Sequence, residues 1–404
     1  MARLALVAAV LGFLTMRPHP AHTASADVSG LWVHHATLVS PDRIDQLVHE
    51  ASAAGFTTLL VEIPSTPASS ARPGSRPRGR RSREFDGIRT LLTAAHRNGL
   101  RVHAWVQATL IATTGNLPTS PDHLVHRHPE WLMVPRGLAG ELARLDVHSP
   151  AYLHALERWA RLHPEELDGL YLSPLIPEAA ADTAERLATL LRRYPFDGVH
   201  LDSAQLPSSD FDYARDAVTL FRDEVAPSLP SAERRLLDGR ATIDPLTYPD
   251  AFPIEWSRFR RSRVTALVAR LGSVVRTHRP EARVGVSVVA DPDEALGRRL
   301  QDWRTWAEIG FIDVACLQPG IEPADDFERQ LRVARQRVDG AELWVGIGAR
   351  WLSPLDTFER IRTAHRMGID GIMVWSYDSV IDPTRHPPGH LQQIGLALAT
   401  VPTQ

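Results

Sequence analysis

The sequence predicts an α/β fold of the (β/α)8 TIM-barrel class, with long insertions in its βα loops. Three observations lead there. Eight short apolar runs alternate with amphipathic helical patterns along the chain. The runs are apolar over most of their length, as parallel strands buried on both faces are. The helical patterns tend to stop at a glycine just before the next run, as at Gly99, Gly310 and Gly368.

The eight expected strands are GLWVHHATL (30–38), TTLLVEIP (57–64), LRVHAWVQA (100–108), DGVHLD (197–202), RVGVSVVAD (283–291), FIDVACLQP (311–319), LWVGIGA (343–349) and DGIMVWSYD (370–378). GLYLSP (169–174) reads as a ninth strand or as an extended lead-in to the helix after Pro177. Helical periodicity covers 41–55, 85–99, 253–278, 326–338 and 355–368. Asp168-Gly169, Asp197-Gly198 and Asp370-Gly371 each precede an apolar run, a rhyme too irregular for a repeat protein. Three stretches interrupt the alternation: 65–84, 109–166 and 225–253. In a barrel such βα connections lie over the face that carries chemistry.

Composition narrows the function. The 404 residues are 44% hydrophobic and 23% charged, an ordinary globular profile, and the net charge of -3 offers no general attraction for nucleic acid. All 45 basic residues are arginine, which reads as codon bias. Arg3, the apolar run Leu4 to Met16 and the A-x-A site Ala24-Ser25-Ala26 together read as a secretion signal over 1–26, with a single barrel domain over 27–400. The expected protein is therefore secreted or extracytoplasmic, with no stable membrane insertion after cleavage. The single cysteine, Cys316, lies in an apolar run and reads as an inert core residue.

In a barrel the strand C-termini carry the reacting groups. Asp202 ends the fourth strand, and alternation puts His200 on the same side one layer deeper. Asp202 is the leading catalytic candidate. Glu62, Asp291 and Asp378, ending the second, fifth and eighth strands, are candidates for a second carboxylate. Glu62 lies in the apolar run LLVEIP, where burial is expected to raise its pKa toward general-acid duty; the bland alternative is a buried acid paired with an arginine. Asp291 precedes Pro292 and could simply cap the next helix, and Asp378, ending the eighth strand, could be a turn residue. Trp32, Trp105 and Trp375 are candidate sugar platforms or, equally, barrel core. His34, Gln107, His200, Gln318 and Asp378 complete the expected substrate-binding set. The adjacent His34 and His35 face opposite ways on a strand, and no ligand spacing for zinc or calcium appears, so neither metal nor cofactor is expected.

DGVHLD followed by the aromatic-acidic DFDY (210–213) resembles the signature of the glycosyl hydrolase-like 10 family. GLWV, GLRVHAWV, YLSPLIPEA (171–179), QDWRTWAEIGFIDV (301–314) and GIDGIMVWSYD occur in that family's order. The resemblance spans roughly residues 28 to 380 and implies an exported barrel glycosidase acting on envelope or extracellular polysaccharide, peptidoglycan glycan strands among them. Where the family often runs D-Y-x-R-Y-P, this chain has Asp202-Ser203-Ala204-Gln205-Leu206-Pro207, and Gln107 stands where W-x-N has its Asn. Loss of those tyrosine and arginine contacts keeps a second reading open, a non-catalytic carbohydrate-binding barrel. The Arg-rich loop 65–84 reads as a solvated loop or as a rim that attracts an anionic polymer.

Overall fold

The computed structural model describes residues 28–64, 85–115, 117–320 and 323–399. The expected leader over 1–26 and the arginine-rich loop 65–84 lie outside the described residues. In chain order the elements are β1 (Val28–Val33), α1 (Pro41–Ala53), β2 (Thr58–Ile63), α2 (Gly87–Arg97), β3 (Arg101–Gln107), β4 (Leu110–Thr113), α3 (Leu124–Arg127), α4 (Arg136–Leu142), α5 (Pro150–Leu162), β5 (Gly169–Tyr171), α6 (Pro177–Arg193) and β6 (Gly198–Asp202). They continue through α7 (Arg215–Val225), α8 (Ser231–Ala241), α9 (Thr247–Ala251), α10 (Pro253–His278), β7 (Arg283–Val289), α11 (Pro292–Gly297), α12 (Trp303–Glu308), β8 (Val314–Gln318), α13 (Ala324–Arg337), β9 (Glu342–Ile347), α14 (Pro354–Arg366), β10 (Gly371–Val374), α15 (Tyr377–Val380) and α16 (His390–Ala399).

Eight of the strands close into a parallel barrel in the order β1-β10-β9-β8-β7-β6-β3-β2. All eight expected runs are present, with shorter ends. The first strand stops at Val33, and His35–Thr37 forms a 3₁₀ turn. The last strand stops at Val374, so Trp375 lies just beyond it and Asp378 lies in α15. GLYLSP does contribute a strand, but outside the barrel: β5 pairs antiparallel with β4. The glycines that end helices before strands adopt φ of +75° at Gly99, +71° at Gly310 and +66° at Gly368, the left-handed turn that a side chain disfavours.

Two members of the Asp-Gly rhyme, Asp197 and Asp370, share a structural cause. Asp197, just before β6, accepts the amide of Val102 on neighbouring β3 at 2.7 Å. Asp370, just before β10, accepts the amide of Leu343 on β9 at 2.8 Å. Asp313 does the same before β8, from Val284 on β7 at 2.8 Å. Each acid satisfies an N–H that the parallel ladder leaves open at a strand start, and so fixes register. A hydrogen bond to a charged group of this kind contributes about 1.5–3 kcal/mol.

The barrel interior is too narrow for eight large side chains per layer. Large residues therefore lie over glycines on neighbouring strands. A Cβ on Gly30 would strike Met373, one on Gly198 would strike His103, one on Gly285 would strike His200, and one on Gly371 would strike Trp344. The inward residues Val28, Trp32, Leu60, Trp105, Val314, Cys316, Trp344 and Met373 form their own apolar cluster, and Trp375 packs on it from the C-terminal end. Cys316 is fully buried within it, and burial pushes its thiol far up, as an inert core cysteine requires. The outer strand faces join the helices in the larger core. Among the described residues no helix is long and apolar enough to cross a membrane.

Candidate active site at the barrel mouth

At the C-terminal end of the barrel, β2, β3, β6 and the segments after β1 and β10 bring seven of the expected residues together: His34, Glu62, Trp105, Gln107, Asp202, Trp375 and Asp378. Asp202 is the last residue of β6 and sits opposite Gln107 in the β3 register. Its carboxylate accepts three N–H groups: Trp105 Nε1 at 2.9 Å, Gln107 Nε2 at 3.2 Å and the Ser203 amide at 2.9 Å. Its backbone carbonyl accepts the Ala108 amide at 2.8 Å, which ties the exits of β3 and β6 together. Ser203 takes φ of +51°, a sparsely populated conformation for a residue with a Cβ. The chain thus turns sharply once the acid has been delivered to the mouth.

Glu62, near the end of β2, accepts His34 Nδ1 at 3.1 Å and the His35 amide at 3.1 Å through the same oxygen. The expectation of a raised pKa is overturned. The His34 hydrogen bond outweighs burial and holds the Glu62 carboxyl below the usual range. The partner is a histidine, not the arginine of the bland alternative. Reciprocally, the hydrogen bond to Glu62 raises the His34 imidazole above its ordinary value, against the opposing effects of burial and of Arg350. Asp378 reinforces this: it accepts the His34 amide at 3.1 Å and the Thr37 hydroxyl, pinning the β1 exit. Asp378 is therefore a brace for His34 as well as a turn residue.

Glu62 and Asp202 flank β3, with Glu62 opposite Trp105 and Asp202 opposite Gln107. Two strand spacings and a two-residue offset place their Cα atoms about 12 Å apart. The side chains converge on a space bounded by indoles: His34 lies 5.4 Å from Trp375 and 5.8 Å from Trp105, centroid to centroid, and those two tryptophans are 5.0 Å apart.

Four expected site residues have other work. Asp291 is exposed and caps α11, accepting the amides of Asp293 at 2.8 Å and Glu294 at 3.0 Å. None of its hydrogen bonds among the described residues reaches the Asp202 cluster, and the structure gives it the capping role that the sequence also allowed. Trp32 is 1% exposed; it supports Trp375 from below and leaves no face for a sugar. His200 is fully buried with Nε2 on Ser287 Oγ at 3.0 Å, and burial drives its pKa down to about 4, so it is a neutral core histidine. Trp105 is only 4% exposed, and its indole N–H is spent on Asp202; it positions the acid instead of offering a stacking surface. Gln318 ends β8 at the exposed rim and lies over Gly346. Trp375 is partly open and remains the tryptophan of the expected set with an accessible face.

Sequence reading missed three contributors. Trp351, in the turn after β9, is 60% exposed although it is a large aromatic. That turn is tied to the mouth, because the Arg350 amide donates to the Trp375 carbonyl at 3.3 Å. Arg350 lies 5.9 Å over the Trp351 ring. Asp212, inside the DFDY motif, is completely buried. It accepts the amides of Val134 at 2.8 Å and Ala214 at 2.9 Å, and so joins the connection after β6 to the insertion after β3. Burial raises its pKa to about 6, against the Ser173 hydroxyl, those two amides and the Arg260 guanidinium. The signal for Trp351 in the sequence is a tryptophan directly after the Gly-Ala-Arg that follows a strand, and the signal for Asp212 is its place in DFDY, which does not report burial.

The model of the family described as Glycosyl hydrolase-like 10 matches residues 138–338, in agreement with the resemblance read from the motifs. The glycosyl hydrolase DigH of Escherichia coli O6:H1 is 25% identical over 249 residues, covering 58% of this chain and 46% of its own length. Its counterpart in E. coli K12 is 24% identical over 249 residues. The chain spans about half the length of these curated relatives. Among solved structures, the PgaB (BpsB) glycoside hydrolase domain from Bordetella bronchiseptica aligns with a TM-score of 0.60 at 15% identity, covering 94% of this chain and 100% of that one. The catalytic domain of the β-amylase from Paenibacillus polymyxa aligns at 0.58 and 11% identity, covering 94% and 99%. At these identities the structural likeness shows a shared barrel fold.

Proposed function

We propose, for a chain whose residues 138–338 match the glycosyl hydrolase-like 10 family, that it is an exported glycoside hydrolase acting on an envelope or extracellular polysaccharide. The family match and the glycoside hydrolase barrels among its structural neighbours support a glycosidase-type function. The observation that carries the finer reading is the setting of Asp202. A carboxylate at the end of a barrel strand, braced by three N–H donors, is held in one orientation at the place where this fold performs chemistry. In this reading Asp202 takes the proton of the attacking water. Trp375 and the exposed Trp351 supply stacking faces for sugar rings on either side of the bond that breaks. The apolar run and A-x-A site near the N-terminus support export.

The test uses the mature protein with denuded peptidoglycan glycan, chitosan, soluble starch and a mixed β-glucan. Release of reducing ends from one of them is expected. Saturable binding without release would replace this reading with that of a carbohydrate-binding barrel, which the two missing tyrosines favour.

A further inference from the structure

Glycoside cleavage needs a proton for the departing oxygen as well as a base for water. The three carboxylates at the mouth are all arranged as acceptors. Asp202 accepts three N–H groups. Glu62 accepts the His34 ring and the His35 amide. Asp378 accepts the His34 amide and the Thr37 hydroxyl. An ionisable ring N–H, that of His34, is held among them. His34 Nδ1 is engaged by Glu62, while Nε2, on the opposite edge of the ring, makes no hydrogen bond within the described residues. The side chain is 32% exposed and is wedged between Trp105 and Trp375, so the ring is oriented but reachable. Trp105 touches both groups: its ring centroid lies 5.8 Å from that of His34, and its Nε1 donates to Asp202 at 2.9 Å.

We infer that His34, oriented by Glu62 and braced by Asp378, is the catalytic proton donor of this barrel, a task usually given to a second carboxylic acid. The inference rests on the glycosidase reading of the mouth. As the bond between the anomeric carbon and the departing oxygen breaks, the Nε2 proton passes to that oxygen. Water oxygen bonds to the anomeric carbon, and a water proton passes to Asp202. Transfer of that proton through solvent to Nε2 restores both groups, with one water consumed. The charged groups that face His34 suit the cationic form: Glu62 on β2 and Asp378 on α15 favour it, and Arg350 after β9 opposes it. Trp105 and Trp375 are uncharged. Glu62 thus acts through His34 as a positioning residue.

The experiment follows reducing-end release from the active polysaccharide as a function of pH, for the wild type, His34→Ala, Glu62→Gln and Asp202→Asn. His34→Ala is expected to lose about 10²-fold or more of kcat and the alkaline limb of the wild-type profile. Glu62→Gln is expected to lower kcat less than His34→Ala does and to shift that limb to lower pH, because the partner that orients the ring and favours imidazolium is gone. The His34 ring nitrogens, titrated by NMR, should move in the same direction. If His34→Ala is misfolded by circular dichroism, the Glu62→Gln limb and the NMR titration decide alone. A wild type that is active, with Asp202→Asn inactive and the alkaline limb unmoved in Glu62→Gln, would overturn the role of His34 and leave the glycosidase reading standing. A wild type inactive on every polysaccharide overturns both.

Discussion

Replacing Asp212 by Asn should make the protein less sensitive to pH between about 4 and 7. The carboxyl is fully buried and its pKa is raised from 3.8 to about 6. In that interval the native state holds a proton that the unfolded chain has released. Stability therefore falls as pH rises, and the fall ends once pH exceeds the native value. At 1.36 kcal/mol per pH unit, a rise from 3.8 to about 6 corresponds to about 3 kcal/mol. The side chain of Asn resembles the protonated acid and does not titrate. Its carbonyl oxygen can still accept the Val134 and Ala214 amides that Oδ1 now accepts. The assay is urea unfolding of wild type and Asp212→Asn at half-unit steps from pH 4 to 7.5. The difference between the two proteins isolates this group from every other titration. The variant should gain on the wild type by about 3 kcal/mol across the range and level off above pH 7. Parallel curves would refute the argument, since they would mean that the Arg260 guanidinium and the hydrogen bonds compensate burial completely.

Other outcomes follow from the same geometry. Trp351→Ala should leave the thermal midpoint within about 2 °C of wild type, because the ring is exposed, yet weaken glycan affinity several-fold; unchanged affinity by calorimetry would remove it from the site. Gly285→Ala should cost about 1–3 kcal/mol in denaturant unfolding, since the new methyl meets the His200 ring at 2.8 Å and disturbs its bond to Ser287; a neutral substitution would mean that the interior yields more easily than its packing implies. Asp313→Ala should cost about 1–3 kcal/mol by leaving the Val284 amide at the β7 start without its acceptor, and hydrogen exchange at Val284 should accelerate. The His34–Glu62 pair should add stability only between the lowered pKa of Glu62 and the raised pKa of His34: it fades in acid as Glu62 protonates and in alkali as His34 loses its charge. The difference between wild type and Glu62→Gln should therefore vanish at both ends of that window.

The barrel was legible because its strands are apolar along their length and its helices end at glycines, both consequences of burying a parallel sheet inside a ring of helices. Strand ends were less legible. GLWVHHATL and DGIMVWSYD run on as apolar sequence past Val33 and Val374, where the backbone has already turned. Of the site, Asp202 and Gln107 could be placed by position and alternation, since register puts them opposite each other. Glu62 was placed correctly at the mouth but given the wrong charge preference, because its pKa depends on His34, which is 28 residues away in sequence. Trp32 and Trp105 share strand parity with the mouth, but depth along the strand decides exposure, and parity does not report depth. Asp291 shows the opposite limit: strand-end position and a cap before proline are the same sequence pattern, and the structure shows the cap. Asp212 lay in the quoted DFDY motif, but its burial was not readable there, because it depends on contact with Val134 from the distant insertion after β3.

The measurement that bears most directly on the central claim is kcat/KM for reducing-end release by Asp202→Asn against wild type, with matched circular dichroism. Asn matches the size of the acid and its single carbonyl oxygen can still accept the Trp105 and Gln107 N–H groups, though not the Ser203 amide as well, and it is a far weaker base for the water proton. The account predicts a loss of about 10²–10⁴-fold with KM little changed. Activity within a few-fold of wild type in a folded Asp202→Asn protein would contradict it and move the chemistry away from the β6 exit.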